Sequence, residues 1–213
     1  MRNQNTPIAV EGYPFVFGAA FVTLVLALLS WKIPALLLLC VTCFIAYFFR
    51  NPQRRSPEGE NLVLAPADGV VIYLGNASEK HLGEEMLKIS IFMSVFNVHI
   101  NRVPLSGKVL DTFYIRGKFL DVRDEKATFE NEQSGMILET EKGQKIVVVQ
   151  VAGLIARRII SYPEKGDILR RGTRYGLIRF GSRLDVFLPK DIDLRVAVGD
   201  RTVAGETVIG SLP

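Results

Sequence analysis

The sequence predicts a mainly β protein, with a compact sandwich-like or barrel-like domain preceded by a hydrophobic helical hairpin. Two observations lead to this prediction. Residues 14–49 are apolar and carry a single charge, Lys32. From Leu62 onward, short runs rich in β-branched and aromatic residues alternate with turns of Gly, Pro, Asp and Asn. The 213 residues suit one domain with an appendage.

The apolar stretch divides at the sequence SWKIP into two helical halves, residues 15–30 and 33–49. Each half corresponds to about 25 Å of helix, slightly less than the ~30 Å hydrocarbon core of a bilayer. Two arrangements are therefore open: a pair of short spanning helices, or a hairpin that dips into one leaflet. Cys40 and Cys43 lie inside the second half, so we expect neither a structural disulfide nor a metal site.

Basic residues follow the apolar stretch directly, namely Arg50, Arg54 and Arg55. The positive-inside rule then places the rest of the chain on the cytoplasmic face of the cell membrane. The net charge of +4 suits an anionic lipid surface. The chain shows no basic stripe with interleaved aromatic residues, so we expect no nucleic-acid partner. We therefore expect a membrane-associated hairpin over residues 1–49 and a β domain over residues 50–213.

The strand-like segments of the β domain follow one another in a regular order, each bounded by turn residues. They cover residues 61–75, 86–104, 107–115, 135–155, 174–189 and 195–212. The polar stretch at residues 121–133 interrupts this pattern and predicts a loop or a short exposed helix.

A weak internal repeat relates residues 164–178 to residues 197–211. Each copy contains Gly-Asp, a second Gly six residues after the first, and then a strand-like run. Such hairpins resemble those of the lipoyl-type and biotinyl-type barrels, which offers a competing function as a non-catalytic, membrane-tethered carrier. A carrier needs an exposed Lys at a hairpin tip, whereas the corresponding tip here is Asp68-Gly69.

Gly181 and Ser182 interrupt a run that otherwise predicts a strand. A β-bulge is one explanation. A nucleophile elbow is excluded because FGSRL lacks the second Gly of G-x-S-x-G. A third explanation is attack by the Ser182 hydroxyl on the Gly181 carbonyl, which breaks the chain and leaves a pyruvoyl group. The candidate base is His99 and its candidate orienting partner is Asp68.

Several segments together resemble the phosphatidylserine decarboxylase family of pyruvoyl enzymes, in its short membrane-associated form. The resemblance covers almost the whole chain and rests on YFFRNPQRR, LAPADGVV, SIFMSVFNVHINRVPLSGKV, GKFLDVRDEKATFENEQ, VVVQVAGLIARRI and GLIRFGSRLDVFLP. It implies self-cleavage between Gly181 and Ser182 into a β chain, 1–181, and an α chain, 182–213, that stay associated. It also implies that Ser182 becomes a pyruvoyl group that forms a Schiff base with the substrate, without a metal or pyridoxal phosphate.

The resemblance further implies that the substrate is phosphatidylserine and that Ser182, His99 and Asp68 are catalytic. A related serine ether lipid, archaetidylserine, is an alternative substrate. The acyl-chain preference is open. The oligomeric state is also open, and a homo-oligomer is one of the possible states. Longer family members resemble H-x-x-H-x-P where this chain has HINRVP, so that Arg102 stands at the position of the second His. Either His99 serves both cleavage and decarboxylation, or another group activates Ser182.

Overall fold

The computed structural model describes residues 6–123, 127–153, 158–179 and 181–213. The chain divides into two compact units, one ending at Gln53 and the other running from Arg54 to Pro213. The first unit is helical and the second consists mostly of strands. The mainly β fold class with an N-terminal apolar hairpin is therefore confirmed.

The helical unit contains a 3₁₀ turn (Val10–Gly12) and two helices, α1 (Tyr13–Leu28) and α2 (Lys32–Phe48). The hydroxyls of Thr23 and Thr42 lie 3.3 Å apart between the two helices. Each hydroxyl also donates to a backbone carbonyl one turn earlier, so both polar groups are satisfied within the hairpin.

Large apolar side chains point outward along both helices; Phe21 and Leu28, for example, are 67% and 75% exposed. Among the described residues, Val10–Leu28 is the one helix long and apolar enough to cross a membrane, and α2 is a shorter apolar helix. Cys40 and Cys43 are free thiols on α2. An outward apolar surface of this extent is typical of a segment that lies in lipid.

The second unit contains fourteen strands and one short helix, α3 (Ala127–Glu130). The strands are β1 (Leu62–Leu64), β2 (Gly69–Glu79), β3 (Glu84–Met93), β4 (Ile100–Arg102), β5 (Gly107–Ile115), β6 (Gln133–Glu139), β7 (Lys145–Ala152), β8 (Ile159–Ser161), β9 (Ile168–Leu169), β10 (Arg174–Ile178), β11 (Ser182–Leu188), β12 (Asp193–Leu194), β13 (Arg201–Thr202) and β14 (Val208–Ser211).

Eight of these strands form one antiparallel sheet in the order β13-β2-β3-β11-β7-β6-β5-β9, which curls into a half-barrel. β11 lies near its middle, between β3 and β7. Two smaller sheets have the orders β1-β14-β12 and β4-β10-β8. Alternate residues of β11 face opposite sides of the sheet: Leu184 and Val186 lie in the main core, and Phe187 lies in a second apolar cluster.

The internal repeat seen in the sequence is also present in the backbone. Gly166 and Gly199 have φ angles of 96° and 98°, a region that favours glycine. Gly166 N donates to Val109 O, and Gly199 N donates to Val71 O, each at 2.8 Å. The two copies supply β9 and β13, which are the two edge strands of the eight-stranded sheet.

The polar stretch at residues 121–133 is less exposed than its composition suggests. Part of it forms α3, while Ala127 and Asn131 are fully buried, at 0% and 1% exposure. Asn131 is buried because its side-chain amide hydrogen-bonds to backbone groups. Residues 124–126, and residues 154 and 155 of another predicted strand segment, lie outside the described residues.

Candidate active site

The Gly181–Ser182 bond lies where the chain passes from one sheet to another. β10 ends at Ile178 in a three-stranded sheet, and β11 begins at Ser182 in the eight-stranded sheet. The sequence predicts one interrupted strand here, whereas the structure has two strands of different sheets. Gly181 makes the change of direction possible because its φ is +59°, a conformation that strains residues with a Cβ.

Ser182 places a buried hydroxyl beside this turn. The residue is 0% exposed, and its partners across the ladders are Met93 on β3 and Ala152 on β7. It lies on the same face of β11 as Leu184, so its side chain is directed toward the main core. Among the described residues, Ser182 Oγ has no hydrogen-bond partner. An unsatisfied buried hydroxyl is costly in a folded protein, so its presence at this position calls for an explanation.

Gly153 holds the Gly181 carbonyl in close contact. A Cβ added to Gly153 would lie 2.2 Å from Gly181 O and 3.3 Å from Val122 Cγ1. Only glycine leaves room for the carbonyl at this position. The sequence analysis did not identify Gly153, although a Gly at the end of a strand-like run is a known signal of close backbone approach.

His99 is buried at 2% exposure and lies just before β4. Its carbonyl accepts a hydrogen bond of 3.3 Å from Ile178 N, at the end of the strand that leads to Gly181. Two residues further along, the Asn101 amide donates to Met93 Sδ at 3.6 Å, and Met93 is the ladder partner of Ser182. The Asn101 side chain therefore lies toward the ladder partner of Ser182, and the His99 backbone is bonded to the end of β10.

The protonation of the His99 ring follows from its backbone contact. His99 Nδ1 lies 3.0 Å from Asn97 O, and a carbonyl can only accept a hydrogen bond. Nδ1 therefore carries a proton, and in the neutral ring Nε2 carries the lone pair. This tautomer leaves Nε2 as the atom that can take or return a proton.

Asp68 occupies a turn in which both carboxylate oxygens accept hydrogen bonds. Ala204 N donates to Oδ1 and Arg54 Nη2 donates to Oδ2, both at 2.8 Å. Residues 66–69 and residues 104–107 both have the pattern Pro-x-x-Gly, with Asp68 and Ser106 at the third position. The Ala204–Asp68 bond has a counterpart in the second of these turns, where Arg171 N donates to Ser106 Oγ at 3.0 Å. Asp68 Oδ1 thus has a structural function, which is to accept a backbone N–H bond that recurs in the other copy of the internal repeat.

Arg102, at the position of the second His, lies close to Asp68 in a largely buried charge cluster. Burial lowers the pKa of the Arg102 guanidinium, and Arg54 lowers it further, whereas Asp68 and Glu206 raise it. Arg102 Nη1 donates to Gly172 O at 2.9 Å. A guanidinium remains protonated near neutral pH, so Arg102 cannot take a proton from Ser182. The structure thus brings Asp68 to Arg54 and into the charge cluster of Arg102, and bonds the backbone of His99 to the end of β10.

Two further polar residues lie next to the Gly181–Ser182 bond, and the sequence analysis missed both. Arg183 is 3% exposed and bonded to Asp185, Val122 and Thr128. Asn131 Nδ2 donates to the carbonyl of Ala152, the ladder partner of Ser182, at 2.8 Å. The signal for Arg183 was present: charges alternate with apolar residues in SRLDVFL, although the strand is buried on both faces.

Comparison with known proteins relates almost the whole chain to one family. Residues 41–210 match the model of the family described as phosphatidylserine decarboxylase. The chain is 72% identical over 213 residues to the phosphatidylserine decarboxylase proenzyme of Geotalea uraniireducens, with both chains fully covered. Similar proteins with the same description occur in Geobacter metallireducens, at 69% identity, and Geobacter sulfurreducens, at 66%, again over the full length of both chains.

Proposed function

This chain belongs to the phosphatidylserine decarboxylase family, and on that premise we propose that it cleaves itself at Gly181–Ser182 and decarboxylates phosphatidylserine with the pyruvoyl group that results. Membership of an enzyme family favours this activity over the carrier-like alternative. The observation that carries the proposal is the buried Ser182 hydroxyl, which has no hydrogen-bond partner within the described ranges, beside a glycine in a left-handed conformation.

Self-cleavage proceeds in steps that use only this chain and water. Ser182 Oγ attacks the Gly181 carbonyl carbon, and the C–N bond breaks, so that an ester replaces the peptide bond. Loss of the Ser182 α-proton then expels the Gly181 carboxylate and leaves a dehydroalanine. Water adds to its imine tautomer, and ammonia leaves. The N-terminus of the short chain is then a pyruvoyl ketone.

We assign the proton transfers of both reactions to His99, whose backbone carbonyl accepts from Ile178 N at the end of the strand that leads to Gly181. A lone pair on Nε2 can accept the Ser182 hydroxyl proton, because Nδ1 is committed to Asn97 O. Arg102 cannot replace a second His as base, as argued above. Asp68 is assigned on the family resemblance, and its bonds to Arg54 and to the Ala204 amide hold its carboxylate in place. We assign Ser182, His99 and Asp68 as the catalytic group on these grounds.

The pyruvoyl ketone supplies a carbonyl that condenses with the substrate amine and withdraws electrons from the bond to the carboxylate. The surroundings of Ser182 suit such a group, because its ladder partners Met93 and Ala152 are buried and apolar. His99 then returns a proton to the carbon that has lost carbon dioxide. Neither a metal nor pyridoxal phosphate has a step in this scheme.

The two chains stay associated after cleavage because β11 pairs with both of its neighbours. It forms seven ladder pairs with β3 and six with β7. Asp68 of the long chain also holds Ala204 of the short chain, and Arg54 holds Glu206 at 3.4 Å. Burial of Leu184, Val186 and Leu188 in the main core adds to this association.

The hairpin places the enzyme at its lipid substrate. We propose that residues 1–49 lie in the cell membrane and that residues 50–213 form the catalytic domain on its cytoplasmic face. The outward apolar side chains of α1 and α2 and the arginines that follow them support this orientation. The serine headgroup, rather than the acyl chains, meets Ser182, so a serine ether lipid with the same headgroup is a second candidate substrate.

Gel analysis and intact mass of the purified full-length protein test self-cleavage. We expect two fragments with a break after Gly181 in the wild type, and a single uncleaved chain in Ser182→Ala. Ser134→Ala is a matched control, because Ser134 is a buried serine on the nearby strand β6 and should cleave normally. A Ser182→Ala protein that still divides into these fragments would refute the proposal.

A further inference from the structure

Arg183 forms a buried clamp on the face of β11 opposite to Ser182. It is 3% exposed. Nε donates to Asp185 Oδ1 at 2.8 Å and Nη2 donates to Asp185 Oδ2 at 3.0 Å, which is a bidentate ion pair. The remaining contacts reach out of the sheet: Nη1 donates to Val122 O at 2.8 Å and Nη2 to Thr128 Oγ1 at 2.7 Å. Arg183 therefore ties β11 to residues 122 and 128.

Asp185 keeps the clamp charged and oriented. Lys88 Nζ lies 3.0 Å from Asp185 Oδ2, so two cations flank one carboxylate that is 2% exposed. Burial alone raises the pKa of Asp185, but the charges of Arg183 and Lys88 outweigh it and hold that pKa below its ordinary value. Four of the five N–H groups of this buried guanidinium are bonded, so it has little freedom to rotate and fixes the position of Val122 relative to β11.

Val122 borders the space that Gly153 leaves open for the Gly181 carbonyl. Its Cγ1 is 3.3 Å from the position of a Cβ on Gly153, and that same position is 2.2 Å from Gly181 O. Asn131 holds the same stretch from the other side, because its Nδ2 donates to Leu120 O at 2.9 Å and to Ala152 O at 2.8 Å. Arg183 thus fixes the backbone of Val122, whose side chain and the Gly181 carbonyl border the same space beside Gly153.

We propose that Arg183 is a positioning residue for self-cleavage: it fixes Val122 beside the space that Gly153 leaves for the Gly181 carbonyl, and so keeps that carbonyl within reach of Ser182 Oγ. The inference rests on the proposed function, since it assumes the break at Gly181–Ser182. After cleavage Arg183 is the second residue of the short chain. Its bonds to Val122 and Thr128 of the long chain then keep the new N-terminus in place.

Arg183→Lys and Thr128→Val test this role. A lysine keeps the charge but offers one nitrogen, so it cannot serve Asp185, Val122 and Thr128 together. Thr128→Val removes the hydroxyl that accepts from Arg183 Nη2 at 2.7 Å and from Lys88 Nζ at 3.4 Å, but it leaves the Arg183–Asp185 ion pair intact. It therefore addresses the role even where Arg183→Lys folds poorly. Thr128→Ser restores the hydroxyl and is the rescue variant.

Arg171→Lys is the matched control. Arg171 also clamps a loop by donating to three backbone carbonyls, those of Pro57, Gly59 and Leu62, but it does not adjoin Ser182. The measurement is the rate at which newly synthesised full-length protein divides, followed by gel. Thermal unfolding and the kcat and KM of the cleaved fraction are measured beside it.

We expect Arg183→Lys to cleave about 10- to 100-fold more slowly, because displacement of a reacting group by about 1 Å can cost a factor near 100. Thr128→Val should slow cleavage several-fold, Thr128→Ser should restore it, and Arg171→Lys should cleave at the wild-type rate at a lower melting temperature. The inference is overturned if Arg183→Lys and Thr128→Val both cleave at the wild-type rate. It is also overturned if Arg171→Lys slows cleavage as much as Arg183→Lys does. Cleavage in Ser182→Ala would instead overturn the proposed function on which it rests.

Discussion

Gly153→Ala tests how closely self-cleavage depends on the position of one carbonyl. The new Cβ would lie 2.2 Å from Gly181 O, and contacts of this kind below 3.0 Å are essentially never observed. The carbonyl must therefore move by at least about 0.8 Å, the difference between these two distances. A shift of this size removes the carbonyl carbon from the path of Ser182 Oγ, so we expect cleavage to slow by about 100-fold.

The effect on the finished enzyme should be much smaller. Once the chain is cut, Gly181 is the free C-terminus of the long chain and can yield to the added methyl group. The assay follows cleavage of newly synthesised protein by gel and then measures carbon dioxide release per cleaved molecule.

Gly107→Ala is the control, because its Cβ would lie 2.6 Å from a backbone carbonyl, that of Glu139, away from Ser182. Cleavage of Gly153→Ala at the wild-type rate, or slowing no greater than in Gly107→Ala, would show that the Gly181 carbonyl is not held as described.

Three further predictions address the base, the buried ion pair and the hairpin. His99→Gln should reduce cleavage, decarboxylation or both by about 10²- to 10⁴-fold, whereas the same change at His81 should not; normal rates in both reactions would remove His99 from the mechanism. Asp185→Asn should lower the free energy of unfolding at pH 7 by about 3–5 kcal/mol, because two buried cations lose their partner. The pKa of Asp185 is depressed in the folded state, so the stability that this carboxylate contributes is present above its ordinary pKa of 3.8 and is lost as the pH falls through the folded pKa. Denaturant titrations of the wild type should therefore show a loss of stability below about pH 4 that is weaker in Asp185→Asn. Identical pH profiles for the two proteins would contradict this. Deletion of residues 1–49 should leave a folded, self-cleaving β unit that no longer floats with vesicles and turns over vesicle lipid slowly, and full-rate turnover of that lipid would contradict membrane positioning.

The parts of the fold that the sequence predicts are those that depend on residues close together in the chain. Hydrophobic patterning predicts the helical pair and the strand-rich domain, since each depends on neighbouring residues. The Gly-Asp repeat predicts two matching turns, because positive φ angles at Gly166 and Gly199 are a local requirement. The same reasoning identifies Gly181, whose presence within a strand-like run needs an explanation.

The parts of the site that escaped prediction depend on contacts between distant segments. Gly153 matters because the pairing of β7 with β11 brings it to Gly181, and no local pattern specifies that register. Arg183 and Asn131 look like surface residues in the sequence and become buried because they bond to backbone groups of other segments. The role of Asp68 as the partner of His99 stays a prediction, and the structure shows a bond from Ala204 N to Asp68 that only the folded repeat discloses.

The mass and chemistry of the short fragment from active wild-type enzyme test the central claim most directly. The account predicts a fragment of residues 182–213 that is lighter by one molecule of ammonia than simple hydrolysis would give. It should also form an adduct with a carbonyl reagent, and turnover should stop when it does. Active enzyme that remains a single full-length chain, or a short fragment with a free serine amine at its N-terminus, would contradict the account.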